Sequence, residues 1–331
     1  MTGVRIQTRA RVILALTLLA GAATGVALEG TASASASITR LAGANRVATA
    51  VSVSQSSFPA TGSAGAVVVA SDASFADALS GTPLAVAKHS PLLLTPPDAL
   101  DPVLAAEVQR VLAPGGTVFL VGGTAAISAN VAAQITALGF TVARLAGGDR
   151  FATAVTVAQA LPSVATVLEA TGLNFPDALA AGAAAAAGGG AVLLTNGATM
   201  PGSTATYLAQ SSVARFAVGG AAAAADASAT PLVGADRYAT AVRVAQRFFP
   251  GPTAVGIASG ANFPDALPGG AHIAALGGPL LLTDPNVLSP ATENYLTTNM
   301  TAIGTAFVYG GAAAVSAGRQ GRLPARSTAS R

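Results

Sequence analysis

The sequence predicts a parallel α/β protein assembled from three copies of one unit. Three observations predict it. Four sequence blocks recur three times in the same order. Within each copy, helix-starting segments alternate with strand-forming ones. The strand segments are apolar at every position rather than at alternate ones, as in a sheet covered on both faces.

The first block, Gly43-Ala44-Asn45-Arg46-Val47-Ala48-Thr49-Ala50, returns as Gly147-Gly148-Asp149-Arg150-Phe151-Ala152-Thr153-Ala154 and as Gly234-Ala235-Asp236-Arg237-Tyr238-Ala239-Thr240-Ala241. Asn45, Asp149 and Asp236 are good helix N-caps, and apolar residues at helical spacing follow them. Short strand runs come next, Ala66 to Ala70, Thr166 to Ala170 and Val255 to Ala258. The second block is Ser74-Phe75-Ala76-Asp77-Ala78-Leu79, Asn174-Phe175-Pro176-Asp177-Ala178-Leu179 and Asn262-Phe263-Pro264-Asp265-Ala266-Leu267. Its polar residue three places before the aspartate has the spacing of a capping box, and Pro176 and Pro264 suit a first turn that needs no amide hydrogen. The third block, Pro91 to Thr95, Ala191 to Thr195 and Pro279 to Thr283, is a second strand. A further helix, Asp101 to Leu112 in the first copy, leads to a third strand such as Val118 to Val121. A glycine pair then ends the unit: Gly122-Gly123, Gly219-Gly220 and Gly310-Gly311.

Composition narrows the class. Only 9% of the 331 residues are charged against 52% hydrophobic, well below the usual quarter charged. The deficit is made up by Ala, Gly, Ser and Thr, and the apolar runs beyond the N-terminus fall far short of a membrane span. The formal charge of +3 arises at the ends. Without Arg5, Arg9, Arg11 and Glu29 the chain carries 14 basic and 13 acidic residues. Without the tail arginines Arg319, Arg322, Arg326 and Arg331 it carries 10 and 13. A near-neutral body argues against nucleic-acid binding. The absence of cysteine excludes disulfides, thiolate metal sites and cysteine nucleophiles. Residues 1–36 read as a signal peptide: basic to Arg11, apolar from Val12 to Leu19, then small residues offering Ala32-Ser33-Ala34 or Ala34-Ser35-Ala36 for cleavage. The expected organisation is a signal peptide at 1–36, repeats at 37–142, 143–230 and 231–317, and a disordered basic tail at 318–331.

These blocks, G-x-[ND]-R-x-A-T-A, [NS]-F-x-D-A-L, [PA]-L-L-L-T and V-G-G, resemble cell wall binding repeat 2 modules of Gram-positive surface proteins, over about residues 40–317. The resemblance implies three Toprim-like α/β domains in a pseudo-threefold arrangement within one chain. It also implies non-covalent attachment to an anionic wall polymer, a teichoic-acid-like polymer or secondary-wall glycan. No cofactor, metal, nucleic acid or membrane span after signal cleavage is implied. The chain departs from the pattern at Pro231, where the other repeats have Arg40 and Arg144, at Ala191, and at Ala221 to Ala225.

The candidate ligand-binding residues are the recurring polar ones. Arg46, Arg150 and Arg237 either pair with a phosphate or carboxylate of the polymer or form an intramolecular salt bridge, with Asp77, Asp177 and Asp265 as candidate partners. The structural role is favoured, because an arginine in a first helical turn opposes the helix dipole and needs a partner. The aspartates read as caps ahead of ligand contacts, although they sit where a strand feeds a helix, the usual ligand crevice of open sheets. Phe75, Phe175 and Phe263 read as core ahead of sugar-stacking residues. Thr95, Thr195 and Thr283 end the second strand and either line that edge or cap the next helix. Catalysis lacks a residue set. The two histidines, His89 and His272, sit in different repeat contexts, Glu169 is unmatched in the other repeats, and the Asp-x-Asp pair of Toprim enzymes is missing. A structural or adhesive surface protein is the alternative to a wall anchor, and a wall hydrolase ranks third.

Overall fold

The first helix of each repeat begins where a polar cap meets an apolar run. In the computed structural model, which describes residues 36–316, the chain enters through β1 (Ser37–Leu41) and turns into α1 (Arg46–Ser57). The Ala48 amide donates to the Asn45 side chain at 2.9 Å. β2 (Val67–Ser71), a 3₁₀ turn (Ala78–Ser80), α2 (Gly81–Ala87), β3 (Leu92–Thr95), α3 (Pro102–Val111), β4 (Thr117–Val121) and α4 (Ala129–Ala137) complete the first repeat. The second runs β5 (Thr141–Leu145), α5 (Arg150–Gln159), β6 (Thr166–Thr171), α6 (Pro176–Ala187), β7 (Ala191–Thr195), α7 (Gly202–Ala209), β8 (Ala214–Val218) and α8 (Gly220–Ala225). The third runs β9 (Thr230–Leu232), α9 (Arg237–Phe248), β10 (Ala254–Ser259), α10 (Ala266–Ala275), β11 (Leu280–Thr283), α11 (Pro290–Thr298) and β12 (Thr305–Tyr309). The signal peptide and the basic tail read from the sequence lie outside the described residues, apart from Ala36. No helix among the described residues is long and apolar enough to cross a membrane.

The twelve strands form three four-stranded parallel sheets, ordered β3-β2-β4-β5, β7-β6-β8-β9 and β11-β10-β12-β1. The edge strand of each sheet comes from the opening of another repeat. β5 pairs with β4, β9 pairs with β8, and β1 pairs with β12 from Ser37 opposite Thr305 to Leu41 opposite Tyr309. The following helix packs on its own repeat's sheet, α1 on β3, α5 on β7 and α9 on β11. Every first block therefore bridges two sheets, and β1 closes the three units into a ring.

The central strands are buried on both faces, as uniform apolarity predicts. β2, β6 and β10 contribute Val68, Val69, Leu168, Val255 and Ile257 to the core. One hydrophobic cluster runs through all three repeats, and smaller ones lie under the outer faces of the second and third sheets. On the common axis α2, α6 and α10 pack against one another. Their small residues permit this close approach, since interhelical distance follows side-chain size. Counting from the shared aspartate, Thr82, Gly182 and Gly270 are equivalent positions. A Cβ on Gly182 would lie 3.1 Å from Thr82 Cβ, so one threonine occupies room left by two glycines.

Candidate functional site

Two junctions between consecutive repeats form clefts at the carboxyl ends of the strands. Between the first and second repeats, Ser74, Asp77 and Gly123 face Gly148, Asp149 and Arg150 across about 310 Å³. Between the third and first, Ser259, Asn262 and Asp265 face Asn45, Arg46 and Thr49 across about 440 Å³. Each cleft thus combines the second and fourth blocks of one repeat with the first block of the next.

The arginines are anchored on main chain rather than on carboxylates. Nη1 of Arg46 donates to the Asp72 carbonyl, that of Arg150 to Gly172 at 2.6 Å, and that of Arg237 to Gly260 at 2.6 Å. All three acceptors follow the central strand of the arginine's own sheet. The salt bridge expected between these arginines and Asp77, Asp177 or Asp265 does not form. A carbonyl at a strand end already satisfies one guanidinium N–H and leaves other donors free of protein partners. Arg150 lies over the Phe75 ring (6.0 Å to its centroid) and Arg237 over Phe175 (5.9 Å), in each case the ring of the preceding repeat.

The aspartates do not cap. No side-chain cap bond comes from Asp77 or Asp265, and Asp177 lies inside the first turn of α6 after Phe175. The capping-box reading fails because these carboxylates turn towards the glycine pair that ends their own repeat. A Cβ on Gly122, Gly219 or Gly310 would sit 2.7, 2.0 or 2.2 Å from the Oδ2 of Asp77, Asp177 or Asp265. Those glycines also hold φ values of 117°, 86° and 96°, which side chains disfavour. Burial pushes Asp177 up to about 6 against the pull of Arg237. Burial also raises Asp265, opposed by a hydrogen bond from Thr49 and the charge of Arg46. The aspartate of one repeat therefore faces the arginine of the next.

Thr49, Thr153 and Thr240 were missed as site residues. Each is buried, and its Oγ1 accepts from the amide of Gly43, Gly147 or Gly234 at 3.1, 3.0 and 3.1 Å, shaping the loop that carries the arginine. Their recurrence in every R-x-A-T-A was the available signal. Thr95, Thr195 and Thr283 stand elsewhere. They are fully buried and absent from the lining of the two measured clefts. Thr195 donates to the Gly197 carbonyl and Thr283 to that of Val287, fixing the loops after their strands. Phe75, Phe175 and Phe263 meet on the axis with centroids 5.7 to 6.1 Å apart, so their rings pack on one another at the inner ends of the clefts.

The two main departures among the repeats prove to be one change. Arg40 donates to the carbonyls of Gly310 and Val315, and Arg144 to those of Gly122 and Ser128, clamping the loop that ends the neighbouring repeat. After the second repeat that loop is replaced by α8, and the residue that would clamp it is Pro231 on an edge strand.

Three comparisons place the chain among known proteins. The family described as Cell wall binding domain 2 (CWB2) matches residues 40–132, 144–228 and 232–319. The N-acetylmuramoyl-L-alanine amidase LytC of Bacillus subtilis (strain 168) is 30% identical over 236 residues, 69% of this chain and 47% of LytC. Cwp8 from Clostridium difficile superposes with a TM-score of 0.79 at 24% identity, over 86% of this chain and 51% of Cwp8. Cwp6 from the same organism superposes with a TM-score of 0.75 at 26% identity, over 84% and 46%. The chain spans about half the length of these proteins. Three tandem matches on three repeats of one architecture show that the chain belongs to the Cell wall binding domain 2 family and is a cell-wall-binding protein.

Proposed function

We propose that the protein is exported and attaches non-covalently to an anionic wall polymer, held in the clefts between consecutive repeats, without catalysing a reaction. The observation that carries this reading is the recurring arginine, fixed by one N–H on a strand-end carbonyl and set over an aromatic ring. An anchored guanidinium loses little further entropy when its remaining donors engage a phosphate or carboxylate. Several weak clefts on one ring suit a repeating polymer, because linked sites raise the effective concentration of each next unit. The amidase activity named for LytC is not transferred to this chain, which spans 47% of that protein.

Asp177, which faces Arg237 between the second and third repeats, sets the pH response. Asp177, lifted to about 6, is charged above that pH and repels an anion. Lowering the pH through 6 neutralises it, so polymer binding strengthens. The test is co-sedimentation of residues 37–331 with isolated walls before and after the anionic polymer is stripped. Binding that is lost on stripping, weakened by salt and stronger at pH 5 than at pH 8 is the expected result. Absence of binding to intact walls by folded protein overturns the reading and favours an adhesive or lattice role.

A further inference from the structure

Both histidines of the chain line one cavity. It lies between the first and third repeats, has a volume of about 240 Å³, and takes in the C-terminal ends of α1 and α10. The cleft between the same two repeats uses the N-terminal ends of these helices. The two sites are therefore separated by roughly the 18 Å length of a twelve-residue helix.

The polar lining is not what the fold requires, because the other repeats build the same positions differently. His89 has a φ of 49°, the conformation that its equivalents Gly189 and Gly277 adopt at 61° and 69°. An imidazole is thus held in a backbone region where both other repeats use glycine, the kind of outlier that marks a functional site. His272 stands where the others have Leu84 and Ala184, and Ser56 where they have Ala160 and Arg247. At two of these positions, distant in sequence, a histidine replaces the glycine or apolar residue of the other repeats, and both line one cavity.

Hydrogen bonding fixes what the cavity offers. The Tyr309 hydroxyl is fully buried, and Nδ1 of His272 lies 2.7 Å from it. The buried phenol has no other hydrogen-bond partner among the described residues, so its O–H donates to Nδ1 and the imidazole proton lies on Nε2. Nε2–H donates to Ser56 Oγ at 3.3 Å, so the Ser56 O–H is free to donate into the cavity. Burial lowers His272 to about 4, which keeps the ring neutral and this arrangement intact near neutral pH. No aspartate, glutamate, lysine or arginine lines the cavity, and its other wall is apolar, with Phe58, Val86 and Leu92.

We propose that this cavity is a second ligand site, which binds a neutral N-acetylated sugar through its acetamido group. The carbonyl oxygen accepts from Ser56, the methyl lies on the apolar wall, and His89 closes the mouth, its ring edge-on to Phe58 at 5.1 Å. A donor beside an apolar surface matches an amide oxygen beside a methyl group. The volume limits the occupant to about one ring.

With only two histidines, imidazole resonances report on the site directly. N-acetylglucosamine is titrated into protein labelled at histidine, with glucose as the control. The expected result is a saturable shift of both histidines, with affinity at least about tenfold weaker for glucose and for the Ser56→Ala and His89→Gly variants. His89→Gly restores the residue used in the other repeats, so its thermal midpoint stays level or rises. No saturable shift with N-acetylglucosamine, an equal response to glucose, or full binding by either variant overturns the proposal. Wall attachment through the clefts involves none of these residues, so either reading can fail alone.

Discussion

At the scale of the residue, Glu169 shows how a departure from the repeat pattern is accommodated. It is fully buried in β6, where the other repeats place Val69 and Ile257. Burial, then the neighbouring Asp226, push its carboxyl up to about 8. Asp226 is itself partly desolvated, but hydrogen bonds from Ser228 outweigh that and Arg215, 2.9 Å away, adds to them, so it stays ionised. Glu169 is therefore protonated at neutral pH. A carboxyl whose folded value lies above the unfolded one stabilises fully at low pH and loses that contribution as pH rises through the folded value. Stability should thus decline between about pH 4.5 and 8, by on the order of a few kcal/mol. Glu169→Gln, which holds no titrating proton, should remove the decline. Urea unfolding of both forms at pH 5, 7 and 9 checks this, and parallel pH profiles would refute it. In sequence, Glu169 stands out only as a residue unmatched in the other repeats. Its protonation could not be read there, because Asp226 reaches it only through the third dimension.

Elements fit one another by exchanges of volume that run between repeats. Tyr309 is fully buried where the other repeats have Val121 and Val218. Its ring occupies room vacated at Gly256 and Gly269, where a Cβ would meet it at 2.7 and 2.4 Å. Pro268, Gly269 and Gly270 are poor helix formers by propensity. In the structure they lie in the first half of α10, because a smaller helix face is what Tyr309 and Thr82 require. Gly269→Ala should cost about 1–3 kcal/mol, the range for overpacking a filled core, even though alanine is the better helix former. Thermal unfolding would show the loss, and an unchanged midpoint would mean that the Tyr309 ring moves freely. The capping-box error belongs to the same scale. The S-x-x-D spacing of Ser74 and Asp77 was present, yet the carboxylate turns towards the glycine turn of its own repeat.

Over the whole molecule, closure rests on β1. Its five residues are the first described strand of the chain, yet they complete the third sheet beside β12. The strand is mostly exposed and holds by main-chain hydrogen bonds, the Arg40 clamp and the buried Leu41. Deleting residues 36–42 should cost roughly 2–5 kcal/mol, at about 1 kcal/mol for each hydrogen bond lost together with the Leu41 contacts. It should also leave the β12 edge open to pairing with another chain. Calorimetry and size-exclusion chromatography read the two effects, and a variant as stable and monomeric as the parent would show that the ring does not depend on β1.

The fold class, the three-unit count, the helix caps at Asn45, Asp149 and Asp236, and the central strands buried on both faces were all legible in the chain's local pattern. All of these depend on short-range periodicity, which a single repeat already carries. Only the tertiary structure decided which repeat supplies each edge strand, where the arginines and aspartates find their partners, and that Pro231 and α8 are one change. Those choices are contacts between residues far apart in the chain, and in a ring of near-identical units the same motif can pair within its own repeat or with the next. Geometry, through the crossing of each first block between two sheets, settles which.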